Sequence, residues 1–446
     1  RRLVLRAGGI RTRHQYRPRV LKERDHKSII SPAFGSLSLL TEPRSLDRRE
    51  FLKASGAIGI TVAGRALGAL GDIHRVTIIG AGIVGASIGY YLSREGCEVT
   101  LLDKTGVATQ ASGNSFAWLN ASWYDAPKSY FELRKHSLRE YRLLSTELEF
   151  PIRWGGSLEW YHTDGEMQDI RDGIRRLTAQ HESVSMINAA AVSRLEPALS
   201  PDTDKFAWSW ADGAVDPAAT THALVDGTIE NGGTLVAPAE VTSIDFDSER
   251  ARVVSTGGEF ESDLVVVAAG ANANEIARMI DLGTDLVVPA TPGIIVTTQP
   301  IGPLLNTVCY TSDSHFHQLP DGRVVIGEKT GAPQTEQHLA YVAGRPNAYP
   351  NTELAVQHAR RVIETAAKYV AALDDTDVGR IGVGWRPLPL DGLPVIGHVP
   401  GNPRVFLASM HSGITLAPIV GLLASMEILG NGTSELLHDF RVERFL

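Results

Sequence analysis

A glycine-rich turn between an apolar run and a helical pattern constrains this chain more than any other feature. Residues 75–79, RVTII, are mostly apolar and β-branched, which is typical of a buried parallel strand. Gly80, Gly82 and Gly85 follow with the spacing GxGxxG. Apolar residues then recur at helical spacing, and a second apolar run spans residues 97–102. We therefore predict a strand, a helix and a second strand in one βαβ unit.

This βαβ unit is suited to holding the pyrophosphate of a dinucleotide. Gly80 permits the tight turn, Gly82 lets the backbone approach the pyrophosphate, and Gly85 lets the helix pack on the strand. The helix N-terminus supplies unpaired N–H groups and a partial positive charge. Asp103 lies 23 residues after Gly80, where its carboxylate can accept hydrogen bonds from ribose hydroxyls. The fingerprint alone leaves NAD and FAD as alternatives.

Three later segments favour FAD. The pattern predicts a helix over residues 217–231 and strands over residues 233–236 and 240–244. A buried strand then spans residues 263–271 and ends in a turn of small residues. Such a turn suits the close approach of a backbone to a ligand.

An arginine near the C-terminus is the candidate substrate-binding group. Arg386 precedes a proline, and its planar guanidinium can hold a carboxylate by two parallel hydrogen bonds. The alternative is an arginine that forms a salt bridge between domains. Adjacent side chains of a strand face opposite ways, so if Arg386 faces the ligand, Trp385 packs in the core.

The order of the motifs resembles the D-amino-acid oxidase, glycine oxidase and sarcosine oxidase superfamily of FAD enzymes. The resemblance runs from residue 75 to about residue 430. It implies an α/β plus α+β fold, in which separated segments form a Rossmann-like FAD-binding domain and a mainly antiparallel β substrate domain is inserted between them. The motifs are GxGxxG at 80–85, GAVDP at 213–217, VVVAAG at 265–270, and RP…DGLP at 386–394.

The resemblance also implies where the two domains lie. A chain of 446 residues is too long for one compact core, which suits two closely connected domains. We expect the FAD-binding domain at residues 74–150, 213–280 and 378–435. The substrate domain and its connections would then occupy residues 151–212 and 281–377.

By the same resemblance, particular residues would contact FAD. The backbone of Val241 would meet the adenine, residues 112–115 would run along the flavin, and residues 413–415 would cap its pyrimidine edge. Residues 112–115 alone would suggest only a polar turn. The predicted cofactor-binding residues are Gly80, Gly82, Gly85, Asp103, Lys104, Ser112, Asn114, Ser115, Val241, Ala269, Gly270, Gly413, Ile414 and Thr415.

The attachment of FAD and its electron acceptor can also be predicted. Sarcosine-oxidase-like relatives attach FAD through a cysteine in the stretch that corresponds to residues 386–391, and this chain has no cysteine there. We therefore expect noncovalent FAD. Those relatives also have a lysine that promotes reaction with O2, and residues 324–327, the corresponding strand, have none. This favours a dehydrogenase that passes electrons to a quinone or carrier over an oxidase that uses O2.

Three side chains are predicted to be catalytic by this resemblance: Arg386, His317 and His411. Arg386 would hold the substrate carboxylate. His317 occupies a position where relatives often carry a tyrosine near the substrate, although it could equally be a half-exposed strand residue. His411 precedes the flavin-capping turn and either bonds near the cofactor or supports the loop. His315 and His317 form a His-x-His pair, but nothing nearby supplies further ligands, so we expect no metal.

The resulting prediction is an FAD-dependent enzyme that oxidises the C–N bond of a small amino acid or N-alkyl amino acid. A hydride would pass to flavin N5, and the imine would hydrolyse. The expected partners are a small carboxylate-bearing amine and an electron acceptor. The alternatives are a 2-hydroxy acid dehydrogenase on the same fold, a flavin-bearing subunit without its own turnover, and an NAD-only dehydrogenase.

The N-terminal segment is basic, whereas the rest of the chain is acidic. Residues 1–53 carry 14 Lys/Arg and 5 Asp/Glu, so the remainder has a net charge of −17, which argues against nucleic acid as a partner. We expect a disordered leader at 1–46 and a signal at 47–72 that resembles the twin-arginine type. The apolar run at 54–64 is too short to span a ~30 Å hydrocarbon core. We therefore expect export to the periplasm, with loose membrane association compatible with it and a cytoplasmic enzyme as the alternative.

Overall fold

The computed structural model describes residues 60–61, 73–122, 127–180, 182–289, 291–329, 336 and 352–446. The predicted leader and twin-arginine motif lie outside the described residues. Of the apolar run that follows the motif, residues 60–61 are described. No helix in the described part is long and apolar enough to cross a membrane.

The described residues form two large sheets and three small ones. The strands in chain order are β1 (Ile60–Thr61), β2 (Arg75–Ile79), β3 (Glu98–Leu102), β4 (Trp118–Leu119), β5 (Ile152–Arg153), β6 (Ser157–Glu159), β7 (Val184–Ile187), β8 (Phe206–Ser209), β9 (Gly213–Val215), β10 (Thr234–Val236), β11 (Val241–Phe246), β12 (Ala251–Ser255), β13 (Gly258–Ser262), β14 (Leu264–Val267), β15 (Thr291–Thr298), β16 (Val308–Tyr310), β17 (Ser314–Gln318), β18 (Val324–Glu328), β19 (Val378–Arg386), β20 (Val395–Val399), β21 (Asn402–Ser409) and β22 (Thr433–Ser434).

Helices cover both large sheets. In chain order the α-helices are α1 (Ile83–Arg94), α2 (Lys128–Glu147), α3 (Asp164–Thr178), α4 (Ala189–Leu195), α5 (Pro217–Glu230), α6 (Ala273–Met279), α7 (Thr352–Ala367) and α8 (Gly413–Ile428). Short 3₁₀ helices lie at Gly270–Asn272, Ala371–Leu373, Glu435–Phe440 and Val442–Phe445.

The first large sheet is the nucleotide-binding sheet that the sequence predicts. Its order is β10-β3-β2-β14-β21-β20, and every neighbouring pair is parallel except β20 with β21. Strands buried on both faces are continuously apolar, as in β14, where all four residues are buried. Helix α1 packs against α5 and α8. Gly421 permits the contact with α8, because a Cβ there would lie 2.3 Å from Ser87 Oγ.

The second large sheet is mainly antiparallel, with the order β19-β15-β18-β17-β16-β6-β8-β7. Its β16–β6 pair is parallel. The apolar stripe of α7 packs on the sheet, so that Val362 and Ile363 share a core with Phe316 and Ile326. This is the mainly antiparallel substrate domain expected from the sequence.

Two segments differ from the expected domain bounds. Residues 378–386, expected in the FAD-binding domain, form β19 and pair with β15 along its whole length. Residues 152–153, expected in the substrate domain, form β5 and pair with β9, which also pairs with β4. The chain therefore leaves the second large sheet at Arg386, the last residue of β19.

Candidate functional site

One cavity of about 820 Å³ is lined by residues of both large sheets. This volume suits a cofactor together with a small substrate. Thirteen of the fourteen predicted cofactor-binding residues line the cavity, and the exception is Gly85. Arg386 and His411 line it as well, but His317 does not.

The glycine turn brings the backbone close to this cavity. Gly80 has φ +113°, and a Cβ there would lie 2.4 Å from the Ala268 carbonyl oxygen. A Cβ on Gly85 would lie 2.0 Å from the Gly80 carbonyl oxygen, so Gly85 lets α1 pack against the turn. Gly82 is extended, with φ −73°, and lines the cavity itself. These placements match the roles that the spacing predicted.

Two helices begin at the cavity wall. The first residue of α1, Ile83, and the first residue of α8, Gly413, both line it. Helix N-termini carry unpaired N–H groups and a partial positive charge, so both can receive oxygen atoms of an anionic or polar ligand. The amide of Ile83 donates to Ser112 Oγ at 3.0 Å, which ties the 112–115 loop to the start of α1.

Asp103 is anchored to the turn that it follows. Its Oδ2 accepts from the Ala81 amide at 2.9 Å, and its Oδ1 accepts from the amides of Thr105 and Gly106, each at 2.9 Å. Oδ1 also accepts from the Thr105 hydroxyl at 3.3 Å, so the remaining acceptor capacity for a ribose hydroxyl lies on Oδ2. Lys104, next to it, forms an ion pair of 2.6 Å with Glu240.

The 112–115 loop is held by strand β19. Asn114 is buried, donates to the Gln110 carbonyl at 2.8 Å, and accepts from Arg380 of β19. Gly382 and Gly384 make room for it, because Cβ atoms there would lie 2.4 and 3.0 Å from Asn114 atoms. The substrate sheet therefore fixes a loop on the cofactor side, a relation that the sequence did not reveal.

Arg386 presents its guanidinium to the cavity. It donates one hydrogen bond, of 3.3 Å, to the Pro292 carbonyl. Among the described residues, no carboxylate lies within salt-bridge distance of it. Burial lowers the pKa of Arg386, and Tyr310 opposes that shift. Its neighbour Trp385 is only 6% exposed, as strand alternation predicted.

The two strand histidines have different positions. His317 is fully buried, and its Nε2 lies 2.7 Å from the Phe116 carbonyl, which it can meet as a donor. Burial lowers its pKa to about 4. His315, and not His317, lines the cavity and stacks on Tyr310 with ring centroids 5.4 Å apart. Of the two strand histidines, it is therefore His315, and not the predicted His317, that lines the cavity with Arg386.

His411 lies near Arg386 on the cavity wall. Its side chain is exposed to the open cavity, and desolvation by the cavity wall, followed by the positive charges of Arg386 and Arg134, lowers the pKa of its imidazole. His411 is therefore neutral at pH 7 and can accept a hydrogen bond.

Lys329 is a cavity residue that the sequence did not lead us to predict. Residues 324–327, which correspond to the lysine-bearing strand of relatives, contain no lysine, but Lys329 lies just after β18 and lines the same cavity as Arg386. Strand alternation places it on the same face as Val325 and Gly327. Extending the alternation of strand side chains from residue 327 to residue 329 would have identified this lysine.

Comparison with known proteins identifies the family. The family described as "FAD dependent oxidoreductase" (DAO) matches residues 75–426. The chain belongs to this family. The DAO-family chain is 26% identical to glycine oxidase of Bacillus licheniformis over 377 residues, which cover 82% of this chain and 96% of the relative. It is 24% identical to one subunit of the opine oxidase of Rhizobium meliloti over 385 residues, which cover 83% and 97%.

The solved structures agree on the fold. Glycine oxidase from Geobacillus kaustophilus superposes with a TM-score of 0.73 at 23% identity, covering 84% of this chain and all of that one. The predicted fold class is therefore confirmed, and so is the prediction of an FAD-dependent oxidase or dehydrogenase.

The residues of this DAO-family chain fit FAD. The turn around Gly82 can receive the pyrophosphate, the start of α1 can offset its charge, and the start of α8 can receive polar atoms of the flavin. Both cysteines, Cys97 and Cys309, are buried and free, and neither lines the cavity. They therefore offer no thioether attachment in this cavity, and noncovalent FAD stays a prediction.

Proposed function

We propose that the protein oxidises the C–N bond of a small amino acid or N-alkyl amino acid, giving an imine that water hydrolyses. The observation that carries this proposal is Arg386, whose guanidinium faces the cavity without a carboxylate partner among the described residues. A partly buried cation of this kind is stabilised by an anionic ligand. Two relatives are named for the oxidation of glycine and of opines, which supports an amino-acid substrate.

Arg386 would position the substrate by two parallel hydrogen bonds to its carboxylate. This fixes the orientation of the Cα atom and leaves the amine free to face other groups. Neutral His411, close to Arg386, can accept a hydrogen bond from the amine and favour its loss of a proton. The neutral amine is the form that can be oxidised, because its nitrogen lone pair forms the new C=N bond.

The substrate loses a hydride from the carbon and a proton from the nitrogen, which makes the imine. FAD, when bound, supplies the two-electron oxidant for this step. Water then adds to the imine and releases an oxo acid and an amine or ammonia.

The test of this proposal is anaerobic bleaching of the flavin absorbance of the purified holoenzyme. The panel contains glycine, N-methylglycine, proline, D- and L-alanine, and the hydroxy acids lactate and 2-hydroxyglutarate. We expect bleaching by one or more amines. Bleaching only by hydroxy acids would replace the proposal with a hydroxy acid dehydrogenase. No bleaching, with a flavin that dithionite reduces, would indicate a subunit without turnover. Reoxidation by O2 or by a quinone then identifies the acceptor.

Arg386→Met tests the role of the guanidinium. We expect KM for the amine to rise on the order of 100-fold, because the charged hydrogen bonds to the carboxylate are lost. FAD content is expected to stay unchanged. The matched control is Arg360→Met, an exposed arginine of α7 that donates to the Asp374 carbonyl outside the cavity. An unchanged KM in Arg386→Met would refute the assignment of the carboxylate.

A further inference from the structure

Lys329 is a second cation on the wall of the cavity that contains Arg386. Its Nζ lies 4.0 Å from the centroid of the Tyr161 ring and 4.9 Å from that of the Tyr310 ring. Strand β18 pairs with β17 so that Gly327 lies opposite His315. A Cβ on Gly327 would lie 2.1 Å from His315 Nε2. Because Gly327 has no side chain, the imidazole of His315 can occupy this face of the strand.

Lys329 has no anionic partner in the described part of the chain. Three carboxylates are close enough to raise its pKa, those of Glu166, Glu159 and Asp313, but burial outweighs them and lowers the pKa. Each of these carboxylates accepts hydrogen bonds from other groups. The donors are the Tyr161 hydroxyl for Glu159, the Thr163 hydroxyl for Glu166 at 2.7 Å, and the Tyr369 hydroxyl and Lys368 for Asp313 at 2.7 and 3.4 Å.

The two cations are both close to Tyr310 and His315. Arg386 lowers the pKa of Tyr310, against the larger effect of burial, and Lys329 lies over its ring. Both cations also lower the pKa of His315, after burial and His317. A single carboxylate that is bound bidentately by Arg386 leaves Lys329 without a direct anionic partner in the described part of the cavity wall. A ligand with two anionic groups could pair with both cations.

We propose that the substrate is an amino acid with a second carboxylate, which Lys329 binds while Arg386 binds the first. The second carboxylate lies either on the nitrogen substituent or on the side chain. This inference rests on the proposed function, since it takes the substrate to be an amino acid oxidised in this cavity. It adds Lys329 as the residue that determines specificity.

Matched substrates separate the two sources of the second carboxylate. Iminodiacetate differs from N-methylglycine by one carboxylate on the nitrogen substituent, and aspartate differs from alanine by one on the side chain, tested as D and L forms. We expect kcat/KM to be about 10- to 100-fold higher for the dicarboxylate of one pair, as a charged hydrogen bond would give. Thiodiacetate and methylthioacetate, in which sulfur replaces the amine, measure binding alone through the change in flavin absorbance.

Lys329→Met is expected to abolish the preference for the dicarboxylate. KM for the preferred dicarboxylate should rise about 10- to 100-fold, and KM for its monocarboxylate partner should stay within about twofold. Lys329→Arg should restore part of the preference, since it keeps the charge. The control is Lys205→Met, an exposed lysine that does not line the cavity. FAD content and melting temperature verify that each variant is folded.

The outcomes distinguish this inference from the proposed function. Equal kcat/KM within both pairs, unaffected by Lys329→Met, would overturn the inference and leave amino-acid oxidation in place. If no amine bleaches the flavin, the proposed function fails. In that case, if Lys329→Met weakens the binding of thiodiacetate, a dicarboxylate ligand is still supported. If thiodiacetate and methylthioacetate bind equally well, the dicarboxylate inference is overturned too.

Discussion

The hydroxyl of Tyr141 donates a hydrogen bond of 2.5 Å to the carbonyl oxygen of Ile414. This contact follows from a proline within α8. Pro418 lies four residues after Ile414 and has no N–H, so it cannot make the helical bond that this carbonyl would otherwise accept. Tyr141 of α2 supplies the missing donor to a residue that lines the cavity.

Tyr141→Phe is predicted to destabilise the protein by about 1–3 kcal/mol, because the buried Ile414 carbonyl loses its donor. Urea unfolding of the holoenzyme measures the change. Pro418→Ala restores a backbone N–H, so Tyr141→Phe should cost less in that background than in the natural one. Tyr130→Phe is the control, since it removes a bond of 2.9 Å to the Ser412 hydroxyl, which is partly exposed and can turn to water. Equal costs in both backgrounds would contradict this account of Pro418.

The nucleotide half of the fold could be predicted from sequence because its signals are local. The strand at 75–79, the glycine turn and α1 depend on periodicity and on backbone space within about 20 residues. The substrate half depends on pairing between distant strands. Nothing in the sequence of residues 378–386 shows that they pair with residues 291–298.

The same limit applies to the side chains of the substrate site. The choice between His315 and His317 depends on how β17 lies against Phe116, and on the Gly327 position opposite His315. Lys329 was missed because the predicted strand ended at residue 327, whereas β18 continues to Glu328 and Lys329 follows it. Strand alternation predicts the burial of Trp385 beside Arg386, but it does not predict that both residues line the same cavity.

The lowered pKa of His317 makes the free energy of unfolding depend on pH. Burial lowers its pKa from 6.5 to about 4, so the folded protein keeps the imidazole neutral where the unfolded chain binds a proton. Stability should therefore fall as pH drops from 6.5 towards 4 and should change no further, through this residue, below that. Between about pH 7.5 and pH 5 the loss that is due to His317 is about 2 kcal/mol.

His317→Gln removes this titration and retains an amide that can donate to the Phe116 carbonyl. We expect the variant to lose about 2 kcal/mol less than the natural protein over that pH range in urea unfolding. His438→Gln, at a solvent-exposed position, is the control and should keep the natural pH dependence. An identical pH dependence in His317→Gln would show that this histidine does not remain neutral in the folded state.

Asp212 is a fully buried carboxylate that holds the segment leading into the cavity. Its Oδ2 accepts from Trp118 Nε1 at 3.2 Å, Ser122 Oγ at 3.0 Å and Ser157 Oγ at 2.7 Å. Its Oδ1 accepts from the Ala121 amide at 3.0 Å. Burial raises the pKa of Asp212, and these donors oppose the shift.

Asp212→Asn places an NH2 group where donors already point, because both oxygens of Asp212 accept hydrogen bonds. We predict a loss of about 1–3 kcal/mol in urea unfolding, together with lower FAD content, since Trp118 lines the cavity. Glu196→Gln is the matched control. Its Oε1 accepts from the Asn306 amide at 2.7 Å and from the Thr307 amide, whereas its Oε2 has no hydrogen-bond partner among the described residues.

In Glu196→Gln the new NH2 group can take the position of Oε2, where no donor faces it. The variant should therefore change stability by less than about 1 kcal/mol and leave FAD content unchanged. Both acids are buried, so a difference in stability loss between Asp212→Asn and Glu196→Gln reports the hydrogen bonds that each carboxylate accepts and not its burial. If both variants lose the same stability, desolvation of the carboxylates controls the outcome. If Asp212→Asn is destabilised and yet retains all of its FAD, the segment from Trp118 to Ser122 does not depend on Asp212 for the shape of the cavity.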